Sequence, residues 1–307
     1  MKQGDVKKMR LFFVLLAAML IMMPAMLFAK GADSVVTTEW LAKNLSNPKL
    51  IVVDVRKFDD YKEGHIKGSI NLFINAIALE KNGLKNELPD AGDLKNMLAE
   101  KGILPSPEVV IVGIADKPVD RSGLTRVAWT LLYAGVKQAA VLDGGIDKWI
   151  AEKRPLTKDM PKIKEGKYNA KFNDSMYVNL EGLKAAKTAG AIIVDVREPA
   201  FFAGEKKVEF VGRLGRIPGA VNLPAVSLVF NEDKTFKSQA DLLASAEKVI
   251  GKDKNKNIII YCDTGRFATV WALLLKNFGY KNVAVYDGSM QEYGAANSDL
   301  PMEVSAK

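Results

Sequence analysis

Cys262 is the one cysteine in the chain. It stands in the stretch IIIYCDTGRFATVWALLL, residues 258–275, directly after a run of apolar residues. Asp263-Thr264-Gly265-Arg266 follow, and a helical apolar pattern then begins near Phe267 or Ala268. A thiol in such a place has two readings: inert apolar filler at the end of a buried strand, or a nucleophile. Its position, the loop length and the following helix favour the nucleophile. Gly265 permits a tight loop, whose backbone N–H groups, with the helix N-terminus, would form a positive cradle around the sulfur. That cradle is expected to lower the thiol pKa and to stabilise an anion on or beside it. Arg266 would add a fixed positive charge. His65 is the single histidine and no Cys/His cluster exists, so neither a metal nor a cofactor is expected.

The elements that must hold this loop are legible because the chain repeats itself. Leu50-Ile51-Val52-Val53-Asp54-Val55-Arg56 resembles Ala191-Ile192-Ile193-Val194-Asp195-Val196-Arg197. Ile66-Lys67-Gly68-Ser69-Ile70-Asn71-Leu72 resembles Ile217-Pro218-Gly219-Ala220-Val221-Asn222-Leu223, and Ala140-Val141-Leu142-Asp143-Gly144 resembles Ala284-Val285-Tyr286-Asp287-Gly288. The offsets are 141, 151 and 144 with the order kept, so two copies of one domain cover 33–155 and 172–305. The segment 156–171 reads as a polar linker that follows Pro155 and contains Pro161. Short apolar runs such as IVVDV, VVIVGI, IIVDV and NIIIYC read as strands buried on both faces. They alternate with amphipathic segments such as LTRVAWTLLYAG and FATVWALLLKNFG, which end at glycines suited to helix C-caps. The fold class is therefore α/β: two α/β/α domains, each a mostly parallel sheet flanked by helices. In such sheets ligands sit beyond the carboxyl ends of the strands, which is where Cys262 falls.

The ordered set of D-V-R, then G-H-I or G-R-I with a following G-x-x-N, then strand-Cys-loop-helix, then L-D-G-G before Trp149, resembles the tandem-domain rhodanese family of sulfurtransferases. The resemblance spans nearly all of the chain after its first 30 residues. In that family the second domain carries the cysteine and the first has lost it. Here Gly113 stands opposite Cys262, and the following stretch, Ile114 to Thr125, reads as a longer loop without a thiol. The resemblance implies a double displacement. The Cys262 thiolate takes the outer sulfur of a small anionic donor such as thiosulfate, and the persulfide passes it to cyanide or a thiol, protein thiols included. It implies too that the amides of Asp263, Thr264, Gly265, Arg266, Phe267 and Ala268 hold the persulfide and its developing charge.

Departures from the family pattern bear on substrate. Where well-known members have a substrate-binding arginine six residues after the second-copy aspartate, this chain has Phe201, then Phe202. Arg197 remains and reads chiefly as a salt-bridge partner of Asp195. The loop holds an acid, Asp263, which opposes a dianion if it points inward and is neutral to binding if it points outward or caps the helix. Arg216 replaces His65 of the first copy. The charged insertion Gly204–Gly215, with Lys206, Lys207 and Arg213, either folds over the site in place of the missing arginine or is a plain solvent loop. Phosphatases that share this fold need Cys-x5-Arg to clamp phosphate. Six residues after Cys262 stands Ala268, which argues against them.

The chain has 307 residues, 48% hydrophobic and 26% charged, which suits two globular domains. The formal charge is +8, but its lysines are scattered and not interleaved with aromatics, so no nucleic-acid surface is expected. Lys2, Lys7, Lys8 and Arg10 precede 13 uncharged residues and a small-residue exit at Ala29. Residues 1–29 thus read as a signal peptide, with an uncleaved anchor as the alternative, and the protein as periplasmic. A single cysteine allows no intrachain disulfide. The chain is read as a monomer. The rival to an enzyme is a non-catalytic binding or sulfur-carrier module of the envelope with the same fold.

Overall fold

The computed structural model describes residues 33–105 and 108–305; the signal-peptide reading lies outside the described residues. The first domain runs β1 (Val35–Val36), α1 (Thr38–Asn44), β2 (Leu50–Asp54), α2 (Phe58–Glu63), β3 (Ile70–Asn71), β4 (Leu79–Lys81), β5 (Leu84–Glu87), α3 (Ala91–Glu100), β6 (Glu108–Val112), α4 (Pro118–Tyr133), β7 (Gln138–Leu142) and α5 (Gly145–Ala151). The second runs β8 (Tyr177–Val178), α6 (Leu180–Thr188), β9 (Ile192–Asp195), α7 (Pro199–Ala203), β10 (Val221–Asn222), α8 (Gln239–Ile250), β11 (Asn257–Tyr261), α9 (Ala268–Asn277), β12 (Asn282–Tyr286) and α10 (Ser289–Tyr293). The sheets are ordered β1-β7-β6-β2-β3 and β8-β12-β11-β9-β10, parallel throughout, so the duplication is one of topology as well as sequence. Ile258, Ile260 and Tyr261 are fully buried, as a central strand covered by helices on both faces requires.

The helix of the first copy starts earlier than its apolar pattern suggests. Pro118 opens α4 at its first turn, and the Asp120 carboxylate accepts from the Lys117 N–H at 2.9 Å. The connection Gly113–Lys117 is thus short, and the expected long loop to Thr125 is absent because those residues are already helical. Residues Arg121–Leu132 of α4 and Ala268–Leu275 of α9 are buried around their whole circumference. Both helices lie between the two sheets, and one hydrophobic cluster runs from Val53 and Trp129 through to Trp271 and Ile258. The two domains therefore share a core. The segment 156–171 packs along the first domain: Thr157 pairs with His65, and Tyr168 is buried with its hydroxyl donating to Ala134 O at 3.1 Å.

Polar contacts pin this interface. The hydroxyls of Thr125 and Thr269, at matching positions in the two copies, lie 2.9 Å apart. Arg126 and Asp287, both fully buried, form a two-pronged ion pair, with Nη2 to Oδ2 at 3.0 Å. Arg126 also donates to the carbonyl of Asn86. Each domain sends a hairpin across. From the first, Lys85 exchanges two 2.9 Å hydrogen bonds with the side chain of Gln291, and Asn86 Nδ2 donates to Thr264 Oγ1 at 2.9 Å. From the second, Phe236 N donates to Asp143 Oδ1 at 2.9 Å, Lys234 pairs with Asp116, and Phe230 sits under the Arg121 guanidinium.

Removing one member of a buried ion pair strands the other charge in the core. Arg126→Ala is expected to lower unfolding stability by about 3–5 kcal/mol, whereas Arg126→Met with Asp287→Leu together cost less than Arg126→Ala alone. Urea unfolding of the three proteins checks this; equal losses would overturn the assignment.

Candidate active site

Cys262 is the first residue past β11. The chain cannot continue straight there, because Gly265 turns it with φ of +74°. A β-carbon at Gly265 would also lie 2.5 Å from Asp287 Oδ1 and 2.7 Å from its carbonyl oxygen, so the loop rests directly on the partner of Arg126. The turn points amides inward. The Thr264 N–H lies 3.5 Å from Sγ, and the backbone N–H groups of Phe267 and Ala268 also favour the charged sulfur. The cradle is smaller than expected: of the six amides from Asp263 to Ala268, those of Thr264, Phe267 and Ala268 bear on the sulfur, while that of Gly265 is given to Ser289.

One side chain that sequence reasoning missed ties the loop together. Ser289 Oγ accepts from Gly265 N–H at 2.8 Å and from Cys262 N–H at 3.2 Å, and donates to Tyr286 O at 2.9 Å. Ser289 has φ of +49°, a strained value for a non-glycine residue. Nearby, Met290 N–H and Gln291 N–H bond the carbonyls of Cys262 and Asp263 at 3.1 and 2.9 Å. The only signal in the sequence was the Asp-Gly-Ser turn after β12, which has the look of any loop.

The electrostatics correct the expected low thiol pKa. Burial pushes the Cys262 thiol up, the adjacent Asp263 carboxylate adds to this, and the amides of Thr264, Ala268 and Phe267 offset only part, leaving it at about 11. Desolvation wins because Cys262 is 1% exposed, and an unsolvated anion costs more than three neutral donors return. Asp263 is itself raised to about 6, chiefly by burial and against the pull of Arg197.

The sulfur lines a cavity of about 220 Å³. Its walls are mostly apolar, from Val196, Phe201, Val208, Val226 and Phe267, with Arg197, Glu198 and Asp263 as the charged members. The aspartate therefore points inward. Arg197 is committed elsewhere: Nε and Nη2 bind Asp195 at 3.0 and 2.7 Å, and Nη2 also donates to Gly215 O. Only its Nη1 faces the site, 3.7 Å from Asp263 Oδ1. Asp54 and Arg56 repeat the staple, with Arg56 donating to Gly64 O at 2.8 Å. Because the staple recurs in a domain without a thiol, its first duty is structural.

Two expected contributors lie away from the sulfur. Arg266 turns outward from the cavity, and its Nη2 donates to Val119 O of α4 at 2.7 Å. Arg216 is held by Glu303, by Phe202 O at 3.0 Å and by Ser305 Oγ at 3.1 Å, as the C-terminal segment pairs with it just as Thr157 pairs with His65. The insertion Gly204–Gly215 does reach the site, but through Val208. Of its cations, Lys207 bonds Val211 O and Arg213 bonds Leu300 O and Tyr293 O, and none lines the cavity. Among the described residues, Arg197 is the one cation lining the cavity, and no other replaces the arginine missing at Phe201.

In the first domain Gly113 takes the place of Cys262. A β-carbon there would lie 2.8 Å from methyls of both Leu124 and Val55, so that space is already filled.

A duplicated parallel α/β sheet with one thiol in an amide-lined loop defines a tandem-domain sulfur-transfer architecture. The rhodanese-like domain family matches residues 37–152 and 179–296, so the chain belongs to the rhodanese family. A Synechococcus elongatus protein provisionally named thiosulfate sulfurtransferase is 32% identical over 303 residues, 94% of this chain and 92% of that one. The 3-mercaptopyruvate sulfurtransferase of Escherichia coli K12 is 29% identical over 283 residues, 87% of this chain and 97% of that one. The crystal structure of YnjE superposes with a TM-score of 0.75 at 25% identity, covering 89% of this chain and 70% of that one. The protein is a rhodanese-type sulfurtransferase, and Cys262 is its single thiol.

Two outcomes follow for the loop. Alkylation of Cys262 by iodoacetamide should be slow at neutral pH and climb without levelling through about pH 10, and Asp263→Asn should speed it about tenfold at pH 8. A plateau near neutrality would overturn the electrostatic picture. Ser289→Ala leaves two buried N–H groups unpaired and should cost about 2 kcal/mol in urea unfolding while slowing sulfur transfer.

Proposed function

We propose that this protein is an exported, monomeric enzyme that loads a sulfane sulfur from a small anionic donor onto Cys262 and hands it to a thiol, cyanide being the convenient laboratory acceptor. The observation that carries this reading is a lone thiol under three backbone N–H groups, facing a cavity of about 220 Å³. Because the resting thiol holds its proton, that proton leaves with the donor's remnant. With thiosulfate, Cys262–SH and S₂O₃²⁻ give Cys262–S–S⁻ and HSO₃⁻: one S–S bond forms as another breaks. With an acceptor R–SH, the outer sulfur leaves as R–S–S⁻ and Cys262–SH is restored. The amides of Thr264, Phe267 and Ala268 bear on the Cys262 sulfur and hold the charge of the persulfide attached to it. Gly265 and Ser289 fix their aim, and Asp195 and Arg197 set the opposite wall.

Asp263 and Glu198 leave the cavity short of positive charge, so a dianion binds against opposition. Thiosulfate is accepted slowly, and a singly charged donor with a carbon body, such as mercaptopyruvate, fits the apolar walls better. A protein thiol as acceptor is favoured by the insertion that supplies Val208, since it also exposes Phe210 and Leu214. Export rests on the basic, apolar and small-residue order of residues 1–29.

The deciding assay is thiocyanate formation from cyanide with thiosulfate or mercaptopyruvate, with Cys262→Ser as control. Intact mass of donor-treated protein should rise by one sulfur atom, and no loading by thiosulfate, mercaptopyruvate or polysulfide leaves the non-catalytic module. Asp263→Asn should raise kcat/KM for thiosulfate about tenfold, by removing one opposing charge near the sulfur. Cell fractionation with N-terminal mapping should find the chain in the periplasm beginning near Lys30; retention in membranes with Met1 intact would instead indicate an anchor.

A further inference from the structure

The first domain keeps the place where a substrate cavity would be. A cavity of about 350 Å³ opens there, bounded by Ile74, Ile114 and Leu124 and by the charged side chains Arg56, Lys57, Asp60 and Asp120. Its floor is closed by the methyls that exclude a thiol at Gly113, so nothing nucleophilic faces it. What enters it is Arg266, from the Cys262 loop of the other domain.

The guanidinium is poorly compensated. Nη2 donates to Val119 O at 2.7 Å, Nε is buried without a partner, and no carboxylate lies within ion-pair distance of it among the described residues. The nearby acid, Asp120, is engaged by the Lys117 N–H at the start of α4. A half-buried cation whose nearest acid, Asp120, attracts it without forming an ion pair is costly, and this one is reached by a specific concession in the fold. Gly123 lies in the middle of α4, where glycine costs about 1 kcal/mol relative to alanine. A β-carbon there would lie 2.5 Å from Arg266 Nη2 and 2.8 Å from Ile74 Cδ1. The helix gives up stability and the guanidinium gains room. Lys57, exposed and without an ion-pair partner among the described residues, stands on the same rim.

We propose that this cavity is a second ligand site, for a small monocarboxylate with a branched apolar body, its carboxylate held by Arg266 and Lys57 and its carbon body by Ile74, Ile114 and Leu124. The walls select against inorganic oxyanions, which would leave that apolar surface uncovered. Arg266 is four residues from Cys262 and the two interact electrostatically. A carboxylate on Arg266 cancels positive charge that favours the thiolate, so occupancy slows the reaction of Cys262. The site is independent of which donor loads the sulfur.

The test is a titration of the ¹⁵N-labelled protein with 4-methylpentanoate, followed by TROSY NMR, with 4-methylpentanamide and sulfite as comparison probes. Saturable shifts centred on Ile74, Gly123 and Ile114, with Kd on the order of 1 mM, are expected. The amide and sulfite should bind about tenfold more weakly, and Lys57→Glu, an exposed change that leaves folding intact, should weaken the carboxylate by about as much. Gly123→Ala, which crowds Arg266, should weaken it too. At saturation, iodoacetamide should modify Cys262 about twofold or more slowly. Absence of saturation at tens of millimolar, shifts confined to the Cys262 cavity, or equal binding of carboxylate and amide would overturn the site. Sulfite binding as tightly as the carboxylate would overturn the ligand class, and an unchanged alkylation rate would overturn the coupling.

Discussion

The Cys262 loop stands on a buried ion pair that crosses the two domains. Arg126 comes from a helix of the first domain and Asp287 from the turn after β12 in the second, and both are fully buried. Such a pair is weak evidence for stability on its own, because the desolvation of two charges consumes most of their attraction. Its worth here is geometric. Asp287 fits only against a residue without a side chain, which is Gly265, and Arg126 also holds the carbonyl of Asn86, whose side chain reaches Thr264. The position of the sulfur is thereby set from the domain that has none. Ser289 completes the arrangement from the second domain, with one hydroxyl serving the amides of both Cys262 and Gly265.

That rigidity creates the central tension of the site. A loop held this firmly also excludes water, and an unsolvated thiol resists ionisation. Three amides aimed at the sulfur do not outweigh its burial, and Asp263 works against them. The amides are better matched to a sulfur that brings its charge with it. A persulfide formed from an anionic donor keeps that charge on the outer sulfur, while the thiol proton departs with the leaving group. The loop is then a receptor for the product of the first displacement more than an activator of the free thiol. The low nucleophile fraction is partly offset by intrinsic reactivity, since thiolates of higher pKa attack better.

The duplication, the parallel sheets and the thiol at a strand end were all readable from the amino-acid sequence, because each rests on local pattern: apolar runs, the D-x-R staples and a glycine after a cysteine. The burial sign at Cys262 was not, since a count of nearby N–H groups says nothing about how much water remains. Nor was the fate of the arginines. Arg266 and Arg216 looked available because their partners, Val119 and Glu303, lie far along the chain. Ser289 and Asn86 were missed for the same reason, as their hydrogen bonds span dozens of residues and leave no periodic trace. The start of α4 at Pro118 was obscured by Asp120, Arg121 and Ser122, polar residues in a first turn where Arg121 is covered by Phe230 of the other domain and bonds the carbonyls of Ala115 and Asp116.

The cysteine-less domain is therefore not a spare copy. Its strand end has been rebuilt so that methyls of Val55 and Leu124 occupy the place of the sulfur, while its hairpin and central helix have become parts of the other domain's active site. Thr125 and Thr269 still meet between the two copies, but Arg126 answers to Val270 in the second copy, and among the described residues no ion pair mirrors the one with Asp287. The sheets keep one shared frame, and the asymmetry lies in the hairpins, the Gly204–Gly215 insertion, the longer first turn of α4 and the partners of Arg126. A thiol restored at Gly113 would meet filled space, and Asp143, which stands where Asp287 does, is turned to the Phe236 N–H instead of an arginine, so the loss of chemistry in one half and the support of chemistry in the other are two consequences of the same packing.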